Sequence, residues 1–307
     1  HLDYHGTMDA YGAAKARLFD WPTLAARVFN VDDAFGARLA AASTRNAHAA
    51  TLVVSREQGA RAGLRALQAA GALALEAHGV RSSTRGLELR VGGSFGEHEL
   101  VLPLVGEFNV DNALLVLGCL LALRAPADAA VAALARARAP SGRMEAFGGG
   151  GQPLVIVDYA HTPDALAKAL RAARAHCAGQ LQVVFGCGGD RDAGKRPQMG
   201  AIAATLADAV IVTDDNPRTE SAQRIAADIV AGFPAQTPVA VIHDRAAAIH
   251  AALAAARPGD VVLVAGKGHE DYQVVGHERL PFSDQAVVRA ALGLEAGGAR
   301  GEPAPAA

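Results

Sequence analysis

The sequence predicts an α/β protein whose second half is a Rossmann-like, doubly wound, mostly parallel sheet. Short apolar runs alternate with helical segments from residue 154 onward. This alternation is typical of a parallel sheet covered by helices on both faces. Glycine-rich and charged loops follow the apolar runs, and such sheets bind their ligands at the carboxyl ends of the strands. The length of 307 residues is enough for about two domains.

The elements before residue 140 are less regular. A short amphipathic helix is expected from about Met8, followed by buried strands at 26–31 and 50–54. A hairpin joins residues 87–91 to 98–102 through a glycine-rich turn. The turn at 106–112 leads into an apolar helix that ends near Leu123, and a second helix is expected at 128–138.

The pattern changes at a proline- and glycine-rich junction that begins at Pro140. After it we predict five strands, at 154–157, 181–185, 209–212, 239–242 and 261–264. The helices between them are expected at 164–176, 197–206, 221–231 and 245–256. Loops at one edge of the sheet would then be 158–162, 186–196, 213–218, 243–245 and 266–271. We therefore divide the chain into domains at 1–139 and 140–293, with a tail at 294–307 that is predicted to be disordered.

Composition restricts the class of partner. Lys and Arg total 29 against 31 Asp and Glu, for a net charge of −2, which gives no case for nucleic acid or an anionic membrane. No apolar run reaches the roughly 18 residues that a membrane span needs. Three widely spaced cysteines argue against a disulfide framework and indicate a reducing, cytoplasmic location. The first residue is His1, with no signal pattern, and we expect a fragment that lacks its beginning.

The stretch 212–220, Val-Thr-Asp-Asp-Asn-Pro-Arg-Thr-Glu, carries the strongest functional pattern. An apolar strand stops at polar residues, and Pro217 restricts both itself and the preceding Asn216. Arg218 offers a planar fork that suits a carboxylate, while Asp215 and Asn216 suit an ammonium group. The alternative is a helix start rich in capping residues, with Arg218 paired to its neighbours, and this stretch alone does not decide between the two.

Two further loops follow predicted strands. The loop Gly-Cys-Gly-Gly-Asp-Arg-Asp at 186–192 is not a GxGxxG fingerprint, and its acids disfavour a pyrophosphate. Arg191 in this loop suits a zwitterion or a carboxylate. The loop Ala-Gly-Lys-Gly-His-Glu at 265–270 is no Walker loop; it is a tight turn or a site where Glu270 and the Gly266 carbonyl meet an ammonium group.

Three residues carry weak signals by themselves. Asp158 and His161 end a predicted strand, and a helix cap with a core histidine is the better explanation of that pair. Lys15 lies on an amphipathic helix, where lysines are usually solvated.

Taken together and in order, several stretches resemble the Mur ligase family. They are HLDYHGTMDAYGAAK, GEFNVDN, SGRME, VDYAHTPDAL, FGCGGDRDAGKRPQMG, TDDNPRTE and AGKGHEDYQ. The resemblance covers nearly the whole chain except the tail. It implies that residues 1–139 are the last part of the family's central ATP-binding domain, without its P-loop, and that 140–293 form the C-terminal domain. A fragment without the P-loop is expected to be inactive alone.

The resemblance implies an ATP-dependent amide ligase of peptidoglycan precursor synthesis. ATP would phosphorylate the γ-carboxylate of UDP-N-acetylmuramoyl-L-alanyl-D-glutamate, and the amine of meso-diaminopimelate would attack the acyl phosphate with Mg²⁺ neutralising charge. The family assigns the incoming amino acid to Arg191, Asp215, Asn216, Pro217, Arg218, Gly266 and Glu270. It assigns ATP to Asn109, Asn112, Arg143 and Asp158. It assigns the metal to His1 and to Lys15 as a carbamate, with Lys15 and His161 as catalytic candidates. We expect a monomer with small-molecule partners.

Other functions remain open from the sequence. Another amide ligase of the superfamily, such as a folylpolyglutamate synthase, should lack the Asp-Asn-Pro-Arg stretch. A non-catalytic module that binds an amino acid is the alternative from a different class. A Rossmann oxidoreductase is disfavoured by the acids in the loop at 186–192.

Overall fold

The structure is a computed structural model, and it describes residues 7–44, 49–56, 61–83 and 85–294. These residues fall into two compact units. The first contains the described residues up to Arg81 together with Leu87–Leu102 and Glu107–Ala137; the second contains Ser82–Gly86, Pro103–Gly106 and the described residues from Arg138 onward. The predicted boundary at 139/140 lies close to Arg138, but the prediction placed the two short segments in the first domain. The tail at 295–307 lies outside the described residues.

The first unit contains a five-stranded sheet in the order β1-β2-β3-β4-β5. The strands are β1 (Ala26–Asn30), β2 (Ala50–Ser55), β3 (Leu73–Ser83), β4 (Gly86–Gly93) and β5 (His98–Leu102). The first three run parallel, and β4 and β5 form an antiparallel hairpin, as predicted. The helices are α1 (Met8–Ala16), α2 (Ala34–Ser43), α3 (Arg61–Ala69), α4 (Phe108–Ala122) and α5 (Ala127–Leu134). The last helix ends four residues before the predicted 138.

The second unit contains a six-stranded sheet in the order β10-β9-β8-β11-β7-β6. Its strands are β6 (Glu145–Gly148), β7 (Leu154–Asp158), β8 (Leu181–Phe185), β9 (Ala209–Val212), β10 (Ala240–Val241) and β11 (Val261–Ala265). All neighbours run parallel except β6, which pairs antiparallel with β7. The predicted mostly parallel sheet is confirmed. Its edge strand β10 has only two residues, where four were predicted.

Helices cover both faces of this sheet. On one face α6 (Pro163–Arg174), α7 (Lys195–Leu206) and α8 (Ala222–Val230) share a core with Ile156, Val183 and Leu263. On the other face α9 (Arg245–Ala255) and α10 (Asp284–Ala291) pack on Val184 and Val264. Successive strand residues therefore alternate between two cores, and this alternation explains the continuous apolar runs in the sequence.

Four parallel strands end at the same level. Ala265 at the end of β11 pairs with Asp158 of β7 on one side and with Phe185 of β8 on the other. Phe185 in turn pairs with Val212 at the end of β9. The loops after β7, β8, β9 and β11 consequently lie at one edge of the sheet, where parallel sheets place their ligand contacts.

A two-stranded ribbon, β12 (Tyr272–Val275) and β13 (Glu278–Pro281), follows the loop after β11. The sequence pattern did not predict this ribbon. It pairs with the loop after β9 through an isolated bridge between Arg218 and Val275. The ribbon therefore contributes to the loop cluster.

Candidate active site

The corner at residues 213–218 is held by the β12–β13 ribbon. The Arg218 amide donates to Val274 O at 3.0 Å, and the Gly276 amide donates to Arg218 O at 2.8 Å. The Val274 amide donates to Asn216 Oδ1 at 2.9 Å. Arg218 has a φ of +52°, which is uncommon for a side-chain-bearing residue. The corner is thus fixed by backbone pairing as well as by the proline on which the sequence prediction relied.

The side chain of Asn216 is buried and bonded at both ends. Its Oδ1 accepts from Lys267 Nζ at 3.0 Å as well as from the Val274 amide. Its Nδ2 donates to Glu270 Oε2 at 2.9 Å. Since the carboxamide already has these partners, its main role in the structure is to hold the loops after β9 and β11 together.

Lys267 is a residue that the sequence analysis missed. It is fully buried, with 0% of its surface exposed. Its Nζ lies 3.3 Å from Glu270 Oε2 and 3.6 Å from Asp215 Oδ1. The only sequence signal was its place between two glycines at the end of an apolar strand, and lysines are almost never fully buried unless paired.

A buried ion pair lies beside Asp215. Arg245 contacts Asp284 through two hydrogen bonds of 2.7 and 2.8 Å, and both side chains are fully buried. Arg245 also donates to Ala265 O at 3.0 Å. Burial raises the pKa of Asp215 above its ordinary value, although the charges of Arg245 and Lys267 act against that rise.

Gly266 allows these groups to approach. Its φ of +121° is in the region that favours glycine, and a Cβ there would lie 2.7 Å from Asp215 Oδ2. A side chain at this position would also come within 4.0 Å of Arg245 Nη2. Any substitution would therefore disturb the buried charges.

Arg218 points away from this buried network, towards the loop after β8. Its Nη1 donates to Gly189 O at 2.7 Å. A Cβ at Gly188 would lie 2.8 Å from Arg218 Nη1 and 3.8 Å from Arg191 Cγ, so the two arginine side chains flank this glycine. Arg218 is half-buried and Arg191 is exposed.

An ion cluster supports the loop after β8. Arg196, which is 1% exposed, contacts Glu220 and Asp228 at 2.9 Å each. Asp190 accepts from the Thr219 hydroxyl at 2.9 Å. Asp190 therefore ties this loop to the segment before α8, whereas Asp192 accepts from the Gly194 amide within its own loop.

A second polar cluster surrounds Asp158 at the end of β7. Asp158 Oδ2 accepts from the Met144 amide at 2.8 Å, and burial raises the pKa of its carboxyl above the ordinary value. The Arg143 guanidinium lies 4.5 Å from the centre of the Tyr159 ring. His161 packs edge-on against the same ring, and its Nδ1 lies 2.8 Å from Tyr159 O. His161 is exposed, so the interpretation as a core histidine is wrong.

The first unit holds the other predicted site residues that the structure describes. Asn109 and Asn112 lie one turn apart at the start of α4, with their side chains 3.1 Å apart. Lys15 lies in the last turn of α1, exposed, with its Nζ 5.0 Å from the centre of the Tyr11 ring. His1 lies outside the described residues. Within the described part of the chain, no group of three or more His, Cys, Asp or Glu side chains could hold a metal ion.

A cavity of about 590 Å³ lies beside the corner. Its wall includes Pro217, Arg218, Gln273 and His243. His243 Nδ1 lies 2.8 Å from Asp214 Oδ1. The edge of the sheet therefore offers cationic and anionic groups within a few residues of each other, which is the combination that a zwitterionic ligand requires.

Family models match both parts of the chain. The Mur ligase middle domain matches residues 1–120, and the glutamate ligase domain of Mur ligases matches residues 142–268. The fold is that of an α/β domain with charged loops at one edge of a parallel sheet, and the chain belongs to the Mur ligase family.

Two curated relatives are similar to this chain over nearly its whole length. A UDP-N-acetylmuramoyl-L-alanyl-D-glutamate–2,6-diaminopimelate ligase from Ectopseudomonas mendocina is 49% identical over 95% of this chain and 57% of its own length. The ligase of the same name from Pseudomonas aeruginosa is 49% identical over 92% of this chain and 55% of its own length. The chain thus spans little more than half the length of these relatives.

Solved structures agree on the fold. A structure of a UDP-N-acetylmuramoyl-L-alanyl-D-glutamate–2,6-diaminopimelate ligase superposes with a TM-score of 0.76 at 38% identity, covering 95% of this chain and 58% of that one. A folylpolyglutamate synthase from Thermotoga maritima superposes with a TM-score of 0.52 at 20% identity, covering 80% of this chain and 58% of that one. The second likeness concerns the fold alone. Among the helices described, none is long and apolar enough to cross a membrane.

Proposed function

We propose that this chain is part of an ATP-dependent amide ligase that adds meso-diaminopimelate to UDP-N-acetylmuramoyl-L-alanyl-D-glutamate. The 49% identity to two ligases of that name supports the proposal. The observation that carries it is the placement of Arg218, whose guanidinium lies against Gly188 and Gly189 in the loop that also carries Arg191, at the edge where four strands end. A cytoplasmic location and a monomeric state remain predictions from the sequence.

The arginine side of the corner would bind the carboxylates of the incoming amino acid. Arg218 is half-buried and Arg191 is exposed, so both remain accessible to a ligand. Lysine lacks the second carboxylate of diaminopimelate. Its binding would leave Arg218 partly desolvated and without that partner, which costs about 2–5 kcal/mol when one member of a buried charge pair is missing.

The acidic side of the corner would bind ammonium groups. Glu270 is half-buried, and its contacts with Asn216 and Lys267 both involve Oε2, so Oε1 would meet an ammonium group; Gly266 would offer its carbonyl. Asp215 and Asn216 are both buried, and Asn216 is held by Lys267 and Glu270. These two residues would therefore support the ammonium site from the protein interior. Pro217 would keep the corner in shape.

The remaining predicted residues would serve the nucleotide. Asp158 would accept from a ribose hydroxyl, and Arg143, exposed beside Tyr159, would contact phosphates. Asn109 and Asn112 present amide groups on one face of α4, and these would meet the adenine. When bound, ATP supplies the phosphoryl group that activates the substrate carboxylate.

Lys15 and His1 would hold Mg²⁺, with Lys15 modified to a carbamate. An unmodified lysine is a cation and offers no oxygen to the metal, whereas a carbamate is a carboxylate-like ligand. Lys15 is exposed at the end of α1, so its amine is accessible for this modification. His161 is a catalytic candidate with no assigned step.

The experiment is an assay of ATP-dependent phosphate release by the chain extended with its upstream coding sequence. With the UDP-linked dipeptide present, meso-diaminopimelate should support release and L-lysine should support far less. A folylpolyglutamate synthase-like ligase would require a folate acceptor instead. A non-catalytic module would bind diaminopimelate in calorimetry without any phosphate release by the extended chain.

A further inference from the structure

We propose that Lys267 is a positioning residue of the amino-acid site, which holds Asn216 and Glu270 in the arrangement that receives the ligand's ammonium group. This inference rests on the proposed function and deepens it. Lys267 would act through its neighbours and would not touch the substrate itself.

The first support is burial combined with contacts. Lys267 has 0% of its surface exposed, yet its ammonium group has three oxygen partners within 3.6 Å: Asn216 Oδ1, Glu270 Oε2 and Asp215 Oδ1. All three partners belong to residues proposed to bind the amino acid. A charged group is rarely buried without such pairing, and losing it leaves its partners unsatisfied.

The second support is the orientation of Asn216. Because Lys267 and the Val274 amide both donate to Oδ1, the carboxamide can present only its Nδ2 to Glu270. This bond leaves the other oxygen of Glu270 to face a ligand. Without the lysine, one of the two bonds that fix this orientation disappears.

The third support is the charge pattern. Asp284, Arg245, Asp215, Lys267 and Glu270 form a series of alternating negative and positive groups. Three carboxylates and two cations leave one excess negative charge when all are ionised. One excess negative charge matches one ammonium group of a ligand.

Removal of Lys267 could act in two opposite ways. It would increase the attraction of the site for a cation, but it would also bring Asp215 and Glu270 together without a cation between them. Two neighbouring carboxylates in a buried site favour uptake of a proton, and this uptake cancels the added attraction. The loss of positioning should therefore prevail.

The test compares Lys267→Met with Lys168→Met in the extended chain. Lys168 is an exposed lysine on α6 whose side chain is 73% exposed, so its variant is the matched control. We expect Lys267→Met to raise the KM for meso-diaminopimelate by about 10- to 100-fold, with the KM for ATP unchanged. Lys267→Arg should recover part of the loss, and Lys168→Met should behave as the parent. If Lys267→Met does not fold, Lys267→Gln takes its place.

A second measurement separates positioning from general damage. Glu270→Gln and Lys267→Met each remove the ion pair between these two residues, so their combined effect on that KM should be smaller than the product of the separate effects. An unchanged KM for diaminopimelate in Lys267→Met would overturn this inference but not the proposed function. Equal rises in the KM values for diaminopimelate and ATP would do the same. If the parent shows no diaminopimelate-dependent phosphate release, the proposed function fails, and this inference fails with it.

Discussion

The two halves of the corner at residues 213–218 differ in how the protein holds them. Asp215 and Asn216 are 6% and 4% exposed and are tied to buried ions and to the ribbon. Arg218 is half-buried, and within the described part of the chain its guanidinium makes one hydrogen bond, to Gly189 O. A guanidinium has five N–H donors, so most of its bonding capacity remains for a ligand. The acidic half is thus a fixed frame, and the arginine half is the part that can select a ligand.

Loss of the fixed half should have the largest effect on stability. Asn216→Ala would leave the buried Val274 amide without its side-chain acceptor and would remove one hydrogen bond each from Lys267 and Glu270. We expect the free energy of unfolding to fall by about 3 kcal/mol, since buried polar groups without partners cost that much. Urea denaturation measures the change, with Gln180→Ala as the control because Gln180 is exposed. Equal stability of the two variants would contradict the description of Asn216 as part of a frame.

The neighbouring glycines Gly188 and Gly189, in the loop after β8, face different parts of the corner. A Cβ at Gly189 would collide with the backbone oxygen of Pro217, whereas a Cβ at Gly188 would meet the flexible end of Arg218. Gly189→Ala should therefore lower the free energy of unfolding by about 2 kcal/mol. Gly188→Ala should leave stability nearly unchanged and reduce the preference for diaminopimelate over lysine.

Denaturation and the phosphate-release assay together check both glycine variants. Gly151→Ala is the control, because a Cβ there has no neighbour within 4 Å. If Gly188→Ala and Gly189→Ala both lost only stability, or both lost only selectivity, the difference between the two halves of the corner would be contradicted.

The ion cluster behind the loop predicts a smaller, pH-dependent effect. The hydrogen bond from Arg196 lowers the pKa of Glu220 below its ordinary value of 4.5. A lowered folded-state pKa stabilises the native state above pH 4.5, and this contribution disappears as the pH falls through the folded-state value. The urea midpoint of the parent should exceed that of Glu220→Gln at pH 7, and the difference should shrink below pH 4.5. A difference that grows on acidification would contradict this sign.

The cysteine thiols should differ in reactivity, and this difference does not involve the stability of the fold. Burial raises the pKa of Cys187 to about 12, while Cys119 is exposed. At pH 8 the Cys187 thiolate would be about one part in ten thousand, so the native protein should react rapidly at Cys119 and not at Cys187. A thiol-reagent time course measures this, and Cys119→Ser should remove the rapid phase. Rapid labelling of Cys187 in the native protein would show that the loop after β8 opens.

The sequence predicted the fold of the second unit well because its signals were local. Apolar strands alternating with helices and turn residues at strand ends are enough to predict a parallel sheet. The two-residue strand β10 was predicted too long because its residues are exposed at the sheet edge. The ribbon β12–β13 was missed because its strands are short and partly exposed, without an apolar pattern.

The interior of the site could not be predicted in the same way. Lys267 and Arg245 look like surface residues in the sequence, and their burial depends on Asp215 and Asp284, which are distant in the sequence. Pairings of this kind are tertiary, and local pattern does not contain them. The roles of Arg191, Arg218 and the nucleotide residues remain proposals.

The ratio of kcat/KM for meso-diaminopimelate to that for L-lysine, in the parent and in Arg218→Ala, tests the central claim most directly. If Arg218 binds the carboxylate that lysine lacks, the variant should lose efficiency with diaminopimelate by about 100-fold or more and lose its preference. Its urea midpoint should stay close to that of the parent, since the frame formed by Asp215 and Asn216 is intact. A variant that still discriminates between the two amino acids as the parent does would contradict the claim.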